Sequence, residues 1–500
     1  MILGILILIA SQSIGQAFDG FALYNDGNTT FLINKDGEIA HTWNLPTRGN
    51  YSMFIKNNGN LVRGAVNINN NINGAAVGGL VQEFTPRGEL VWEFDYSSNE
   101  VVAHHDICAM PNGGVLLTAW EVVPGSELDQ LGYTGNNSLR YGTHFIEVQQ
   151  EDTGGKIVWE WHLKDHFVQD VDSTLANFGN ISANPQLLDV NVPVLGGGGP
   201  GGPSSGDWFH VNGVNYSEDY DQIIFSSRFL SEVMIIDHST TIEEAASHAG
   251  GNSGQGGDIL WRWGNPSNYN TEGTRTISAA VHDAQFIPDD GRDFADHALI
   301  FNNEGLTGQT QIDIIELPRS GFGFEKVDTL AFGPPMATKT HFAIQNVDGQ
   351  SATYKLPNGN LYVNLSRRFQ YEVDKNENVV WQYPDASTKG FRYTCDHPGI
   401  QTLIDQGFID ELDCELSSTK VAELKTFKIS PNPSKGLVEI KTETAAQIKE
   451  LRVFDLTQKR STSIDYKGSQ LDLSGFTPGV YFLQIILKSG EVVTKQLILS

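Results

Sequence analysis

Cysteine is scarce. The 500-residue chain has three, Cys108, Cys395 and Cys414, and no two form a CxxC pair. With no close Cys/His spacing either, a structural zinc site is not expected. Cys395 and Cys414 can pair in an oxidising compartment. Cys108, in HHDICAM, is expected to be a buried free thiol. Basic charge is scarce too: 33 Lys and Arg face 60 Asp and Glu, a formal net charge of −27. That argues against a nucleic-acid partner. No apolar run is long enough for a transmembrane helix. Ile2 to Ala10 is followed by Ser13-Ile14-Gly15 and reads as the apolar core of a signal peptide, residues 1–16, although no basic stretch precedes it.

What the chain does have is glycine, 52 residues, and aromatics at 10%. This composition suits a turn-rich all-β protein. A two-part phrase recurs. One half is a hairpin whose second strand ends in tryptophan: FLINKDGEIAHTW, VQEFTPRGELVWEF, FIEVQQEDTGGKIVWEW, FQYEVDKNENVVWQY. The other is a polar Asn-Gly corner leading into an apolar strand: IKNNGNLVRG, AMPNGGVLLTAW, YKLPNGNLYVNL. Such units bury both faces only by stacking around an axis, so the expectation is a β-propeller of six blades over residues 17–410. Trp43, Trp92, Trp159 and Trp381 would pack between blades, with Trp261 and Trp263 a further copy. Two insertions interrupt the period. Asp165 to Ser205 holds a Gly/Pro tract, and Thr240 to Gly257 holds a short helical piece; either could cover a face of the disc or lie as disordered surface.

A linker is expected over 411–424, then a small β-sandwich over 425–500 with Asn-Pro, Ser-Gly and Pro-Gly turns. This stretch is net basic, whereas the rest of the chain carries the whole acidic excess, as modules with separate jobs would.

Most of the 13 histidines have structural readings. His41, His144, His162, His166, His297 and His397 lie on strand edges or loops, and His238 suits a turn. Three phrases differ: VVAHHDICAMPNGG with His104 and His105, DWFHVNGV with His210, and AAVHDAQFIP with His282. In each, a histidine precedes a strand leading to a turn, and His-Asp recurs at 105–106 and 282–283. Equivalent positions on successive blades would bring these imidazoles together at the axis. Arg228 and Arg262 in the same region suit an anion and would repel a cation. No metal and no cofactor is therefore expected. Carboxylates cluster in PDDGRD, where a solvated loop is favoured over a calcium site.

The phrases HHDI…PNG, DWFHVNGV, DQIIFSSR, IDHSTT, LWRWGNP, HDAQFIP, LPNGNLYV and EVDKNENVVW resemble the bacterial arylsulfate sulfotransferases. Those are six-bladed propellers that act without an adenosine phosphosulfate donor and work by a ping-pong mechanism through a sulfated histidine. The resemblance implies His282 as nucleophile and Arg228 as the guanidinium on the sulfuryl oxygens. It implies His210 as a hydrogen-bond partner of the sulfuryl group. His105, with His104 as the ambiguous neighbour, would move the phenol proton. Arg262 and Asn265 are candidates for the site wall, although a structural WRWGNP corner is slightly preferred. His341, in KTHFAIQ, is another candidate axial histidine. The implied partners are an aryl sulfate and a phenol. A non-catalytic propeller binding sulfated ligands and an aryl sulfate hydrolase stay open.

The C-terminal phrases resemble the type A sorting domain of the type IX secretion system of Bacteroidetes. They are Phe427, Ile429-Ser430-Pro431-Asn432-Pro433, Gly436, Leu473-Ser474-Gly475, Pro478-Gly479-Val480-Tyr481 and Lys495. This implies the type IX machinery as partner of residues 425–500, removal of that domain on export, and a secreted or outer-membrane-surface location.

Overall fold

A computed structural model describes residues 16–414, apart from 73, 136–138, 195–205 and 327–331. After residue 427 it describes the chain to 499, apart from 433, 442–447, 456–461, 465–469 and 488–491. The expected signal peptide up to residue 15, the Gly/Pro tract 195–205 and residues 415–424 of the expected linker lie outside the described residues.

Among the described residues, the large module is built around six antiparallel four-stranded sheets. Blade 2 runs Gly49–Ile55, Leu61–Val66, Gly79–Phe84, Leu90–Asp95; blade 3 runs Val101–Ala109, Val115–Val123, Arg140–Gln150, Gly155–His162. Blade 4 runs Val211–Ser217, Gln222–Ser227, Glu232–Asp237, Ile259–Trp263; blade 5 runs Val281–Phe286, His297–Asn302, Gln311–Glu316, Lys339–Phe342. Blade 6 runs Ala352–Lys355, Leu361–Leu365, Phe369–Val373, Val379–Tyr383. Blade 1 is composite. Gly390–Thr394 pairs with Gly20–Asp26, which continues through Thr29–Ile33 to Ile39–Asn44. The first strands of successive blades pack against one another, so they line the centre, and the late strand of blade 1 closes the ring.

The sheets bury both faces on their neighbours. Every residue of Gln222–Ser227 and Glu232–Asp237 is buried. Val62, Val81, Trp92 and Phe94 of blade 2 share a core with Ile107, Leu117, Ile146 and Val148 of blade 3. Four outer-strand tryptophans add a directional tie to the following blade, whereas Trp43 of blade 1 is buried with no partner for its Nε1 among the described residues. Trp92 Nε1 donates to Gly154 O (2.5 Å), Trp159 to Thr240 Oγ1 (3.0 Å), Trp261 to Gly333 O (2.7 Å) and Trp381 to Lys35 O (2.6 Å).

After the closing strand, a disulfide joins Cys395 to Cys414 with Cα atoms 5.6 Å apart. The enclosed helix Pro398–Asp405 packs Ile400 and Leu403 on Phe21, Leu23, Trp43 and Ile55 of blades 1 and 2. His397 caps that helix, accepting from Gly399 N. Cys108 is a free thiol but is only partly buried. It lies near the exposed end of its strand and packs against the edge of the core that includes Leu116, Phe145 and Val214.

Neither insertion is disordered where it is described. Phe167, Val168, Ile181, Leu188 and Val190 are buried. His166 joins the two insertions, with Nδ1 2.9 Å from Asp258 Oδ1 and Nε2 donating to Ala245 O (2.9 Å). A capping box of Thr241 and Glu244 starts the short helix Ile242–Ala245.

The C-terminal module has a three-stranded sheet (Lys428–Ser430, Leu437–Lys441, Gln470–Asp472) and a four-stranded one (Thr462–Ile464, Ile448–Asp455, Gly479–Leu487, Val492–Leu499). Both contribute to one core of Val438, Ile440, Leu451, Val453, Leu471, Tyr481, Leu483 and Leu497. No helix among the described residues is long and apolar enough to cross a membrane.

Candidate active site

Irregular inner strands build the site. In blade 3, Ala103 pairs with Ala119 and Ile107 with Leu117, so His104-His105-Asp106 bulges opposite Thr118. Thr118 Oγ1 holds the bulge, accepting from Asp106 N (3.1 Å) and donating to His104 O. Blade 5 carries a register shift between His282 and Gln285, and blade 4 one between Val211 and Gly213. His105, His210 and Asp283 have φ of 48°, 49° and 53°, left-handed conformations that regular strand cannot supply. The bulges re-aim the imidazoles.

The repeated His-Asp phrase thereby has two jobs. Asp106 Oδ2 accepts from Val214 N of blade 4 (3.0 Å), and Asp283 Oδ2 accepts from Thr353 N of blade 6 (2.8 Å). Their remaining charge meets Lys389 Nζ, 2.7 Å from Asp106 and 2.9 Å from Asp283. Burial opposes the ammonium, but the two carboxylates outweigh it and raise its pKa. The aspartates tie the ring while their histidines face its centre.

Four histidines meet there. His104 and His105 share a hydrogen bond between their Nδ1 atoms (2.7 Å), and His104 stacks on Trp120 at 4.2 Å. The rings of His105 and His210 lie 4.7 Å apart. His210 is oriented by Asp207, 2.5 Å from Nδ1. His282 Nδ1 is 2.6 Å from Asn303 Oδ1. The Asn303 amide nitrogen donates to Val347 O and Gln350 O, which fixes its oxygen towards His282. His282 therefore carries its proton on Nδ1, and its buried Nε2 has no hydrogen-bond partner. Burial, then the Arg228 guanidinium, holds His282 well below the ordinary histidine range. Burial and His210 do the same for His105, and bring His104 to about 3. At rest His104, His105 and His282 are neutral imidazoles, with His282 beside an arginine.

Arg228 follows the second strand of blade 4; among the described residues its guanidinium donates a single long bond, to Asp348 O (3.3 Å). A Cβ on Gly349 would stand 3.2 Å from Arg228 Nη1 and 3.8 Å from His282 Cε1. The segment covering these groups is thus Asp348-Gly349, beyond the outer strand of blade 5. The described parts of the two insertions pack elsewhere.

Three candidates are not brought to this cluster. Arg262 is fully buried and paired with Glu232, with Nε to Oε1 at 2.9 Å and Nη2 to Oε2 at 2.5 Å, above the ring of Tyr269. Asn265 turns onto Asn268 Oδ1 (2.8 Å) and Ser267 Oγ (2.6 Å) in the adjoining corner. His341 lies on the outer strand of blade 5 between Glu377 and Tyr371 OH (3.0 Å); an outer strand cannot reach the axis. His238 is held by Asp221 (2.7 Å) and Glu147 (3.0 Å). In PDDGRD, Asp290 is taken by Arg292 Nε at 2.7 Å.

The family description "Arylsulfotransferase (ASST)" matches residues 7–394. The chain belongs to the arylsulfotransferase family. Residues 428–500 match the description "Secretion system C-terminal sorting domain", which marks the arylsulfotransferase for type IX secretion to the cell surface. No curated protein matches the sequence. Solved structures similar to it include a protein of unknown function from Bacteroides caccae, with 12% identity, 75% of this chain and 99% of that one covered, and TM-score 0.40. Others are the periplasmic gluconolactonase PpgL of Pseudomonas aeruginosa (10%, 96% and 99%, 0.36) and BamB of Moraxella catarrhalis (8%, 75% and 77%, 0.31).

The groups that position the histidines stand, with one exception, outside the phrases that mark the site. Asp207 stands three residues before His210 in DWFH, a local signal that was available. Asn303, Lys389 and Gly349 reach the site from remote segments, and nothing in FNNEG, STKGF or NVDGQ marks them.

Proposed function

We propose that this arylsulfotransferase moves a sulfuryl group from an aryl sulfate to a phenol through a sulfohistidine at His282. The observation that carries the proposal is the buried, unpartnered Nε2 of His282, a lone pair kept free of protons beside Arg228. Arg228 binds the sulfuryl oxygens and its charge grows in value as they gain electron density. Nε2 attacks sulfur, the N–S bond forms, and the S–O bond to the aryl group breaks. The arriving anion raises the basicity of the neighbouring imidazoles, so His105 takes up a proton from solvent as the donor binds and passes it to the leaving phenolate; the proton it later recovers from the acceptor returns to solvent when the sulfated product leaves. His210, fixed by Asp207, hydrogen-bonds a sulfuryl oxygen. In the second half, the acceptor phenol returns a proton to His105 as its oxygen attacks sulfur, and the N–S electrons go back to His282.

Intact-mass measurement after brief mixing with 4-nitrophenyl sulfate and an alkaline quench tests this. One sulfuryl adduct mapping to His282 is expected. An adduct on His105 or His210 overturns the nucleophile. No adduct and no released phenol, with an acceptor present, replaces the reading by a binding propeller. Phenol release to water alone replaces it by a hydrolase.

A further inference from the structure

Away from the axis, blade 3 carries a second convergence of histidines. His144 pairs directly across from His162, and Glu160 lies two residues before His162, on the same face of the outer strand. The register also places Glu121 opposite Gly142, and so on this same face. Trp161, between Glu160 and His162, points the other way into the core. The two imidazoles stack with centroids 4.0 Å apart. His144 Nε2 and His162 Nε2 lie 3.8 Å and 3.9 Å from one oxygen, Glu160 Oε2. These three donors all fall within 4.8 Å of one another.

The opposite ring nitrogens are both engaged. His162 Nδ1 is 3.0 Å from Glu121 Oε1, whose second oxygen is held by Lys164 at 2.8 Å. His144 Nδ1 is 3.4 Å from the hydroxyl of Tyr96, supplied by blade 2. Outer partners on Nδ1 orient a metal-binding imidazole and leave Nε2 for the ion. His144 is 2% exposed and its Nε2 has no hydrogen-bond partner, a buried polar atom aimed at the convergence point. By contrast, His166, His248 and Asp258 also cluster, but both ring nitrogens of His166 are already bonded.

We infer that His144, His162 and Glu160 form a binding site for a divalent ion of the zinc class, with Glu121 and Tyr96 orienting the imidazoles. Two nitrogens and one carboxylate oxygen suit zinc and its first-row neighbours; calcium and magnesium prefer oxygen shells. A tetrahedral ion with bonds of about 2.1 Å separates its donors by about 3.4 Å, so an ion draws the two nitrogens closer to Glu160 and tilts the stacked imidazoles towards it. Glu160 and His162 are partly exposed, which leaves the fourth position to water. The site is independent of the sulfuryl-transfer centre.

The test uses the full-length chain without a histidine tag, stripped by a chelator and titrated with zinc by calorimetry. An uptake of about one ion per chain is expected, because the ligands are already held by the fold. Cobalt substitution is expected to give the intense visible bands of a four-coordinate site. Glu160→Gln and His162→Ala should lose stoichiometric binding, and Glu121→Gln should weaken it about 10- to 100-fold. Melting of each stripped variant checks folding, and Glu160→Gln, at a partly exposed position, preserves it. Absence of stoichiometric uptake, or equal uptake by wild type and Glu160→Gln, overturns the site. Neither result bears on sulfuryl transfer.

Discussion

Arg228 and Arg262 leave the same blade, yet they sit in opposite chemical settings. Arg262 in the WRWGNP corner is fully buried and paired to both oxygens of Glu232. Arg228 at the mouth is half-buried and, among the described residues, its guanidinium reaches a carbonyl and no carboxylate within ion-pair distance. The first arrangement is complete without a ligand. The second leaves a guanidinium beside a histidine whose Nε2 is also unsatisfied. A protein keeps such groups unpaired at a cost in stability, and their co-location marks the place where an anion completes the set.

His282→Ala should break this contrast at its centre. Sulfuryl transfer is expected to fall by roughly 10⁴-fold or more, as for removal of a nucleophile, with a folded ring by circular dichroism; transfer at an undiminished rate would remove His282 from the chemistry. Arg228→Met should lower kcat/KM by about 10²- to 10³-fold, the scale of an oxyanion donor, and leave denaturant stability nearly unchanged. Arg262→Met should do the reverse. It strands Glu232 and is expected to cost about 3–5 kcal/mol of stability, read by denaturant titration, while the turnover of the folded fraction stays at the wild-type level. Loss of turnover at full stability would make Arg262 a site residue after all.

A subtler probe turns an unpaired histidine into a paired one. Asn303→Asp places a carboxylate on His282 Nδ1, as Asp221 and Glu147 are placed around His238, whose pKa they raise to about 9 against burial. His282 is active when deprotonated, and its pKa is lowered in the wild type. The acid limb of kcat/KM should therefore move upwards, by about 1–3 pH units. An unmoved limb would show that another group sets it. The stability profile carries the same signs. Histidines held neutral by burial, such as His282, favour the folded state less as pH falls below the unfolded value of about 6.5. His238 contributes fully below that value and loses its contribution as pH rises towards 9.

The ring was legible because its parts are local. A hairpin phrase ending in tryptophan names an outer strand, and in five of six blades the tryptophan is there. Blade 5 lacks it, and its outer strand Lys339–Phe342 carries His341 instead. Without the marker, nothing in KTHFAIQ names an outer strand, and His341 reads as a candidate axial histidine. The three histidine phrases located three inner strands, although the work of the aspartates in the two His-Asp pairs as ties between blades depends on Val214 and Thr353, distant in the chain. The same holds for Asn303 and Gly349. The convergence at His144 was hidden differently: Glu160-Trp161-His162 shows two polar residues on one face, but its partner strand is named only by the register.

The closing strand Gly390–Thr394 has a consequence for the order of assembly. It directly follows Lys389, the cation shared by Asp106 and Asp283. Docking the strand therefore seals the ring's open edge and delivers the counter-charge to its middle in one event. A chain cut short before residue 389 would leave two acidic side chains facing each other without neutralisation, and blade 1 with a bare edge. An incomplete copy is thus disfavoured at its heart as well as at its rim. Completeness of the chain is checked electrostatically at the centre of the ring.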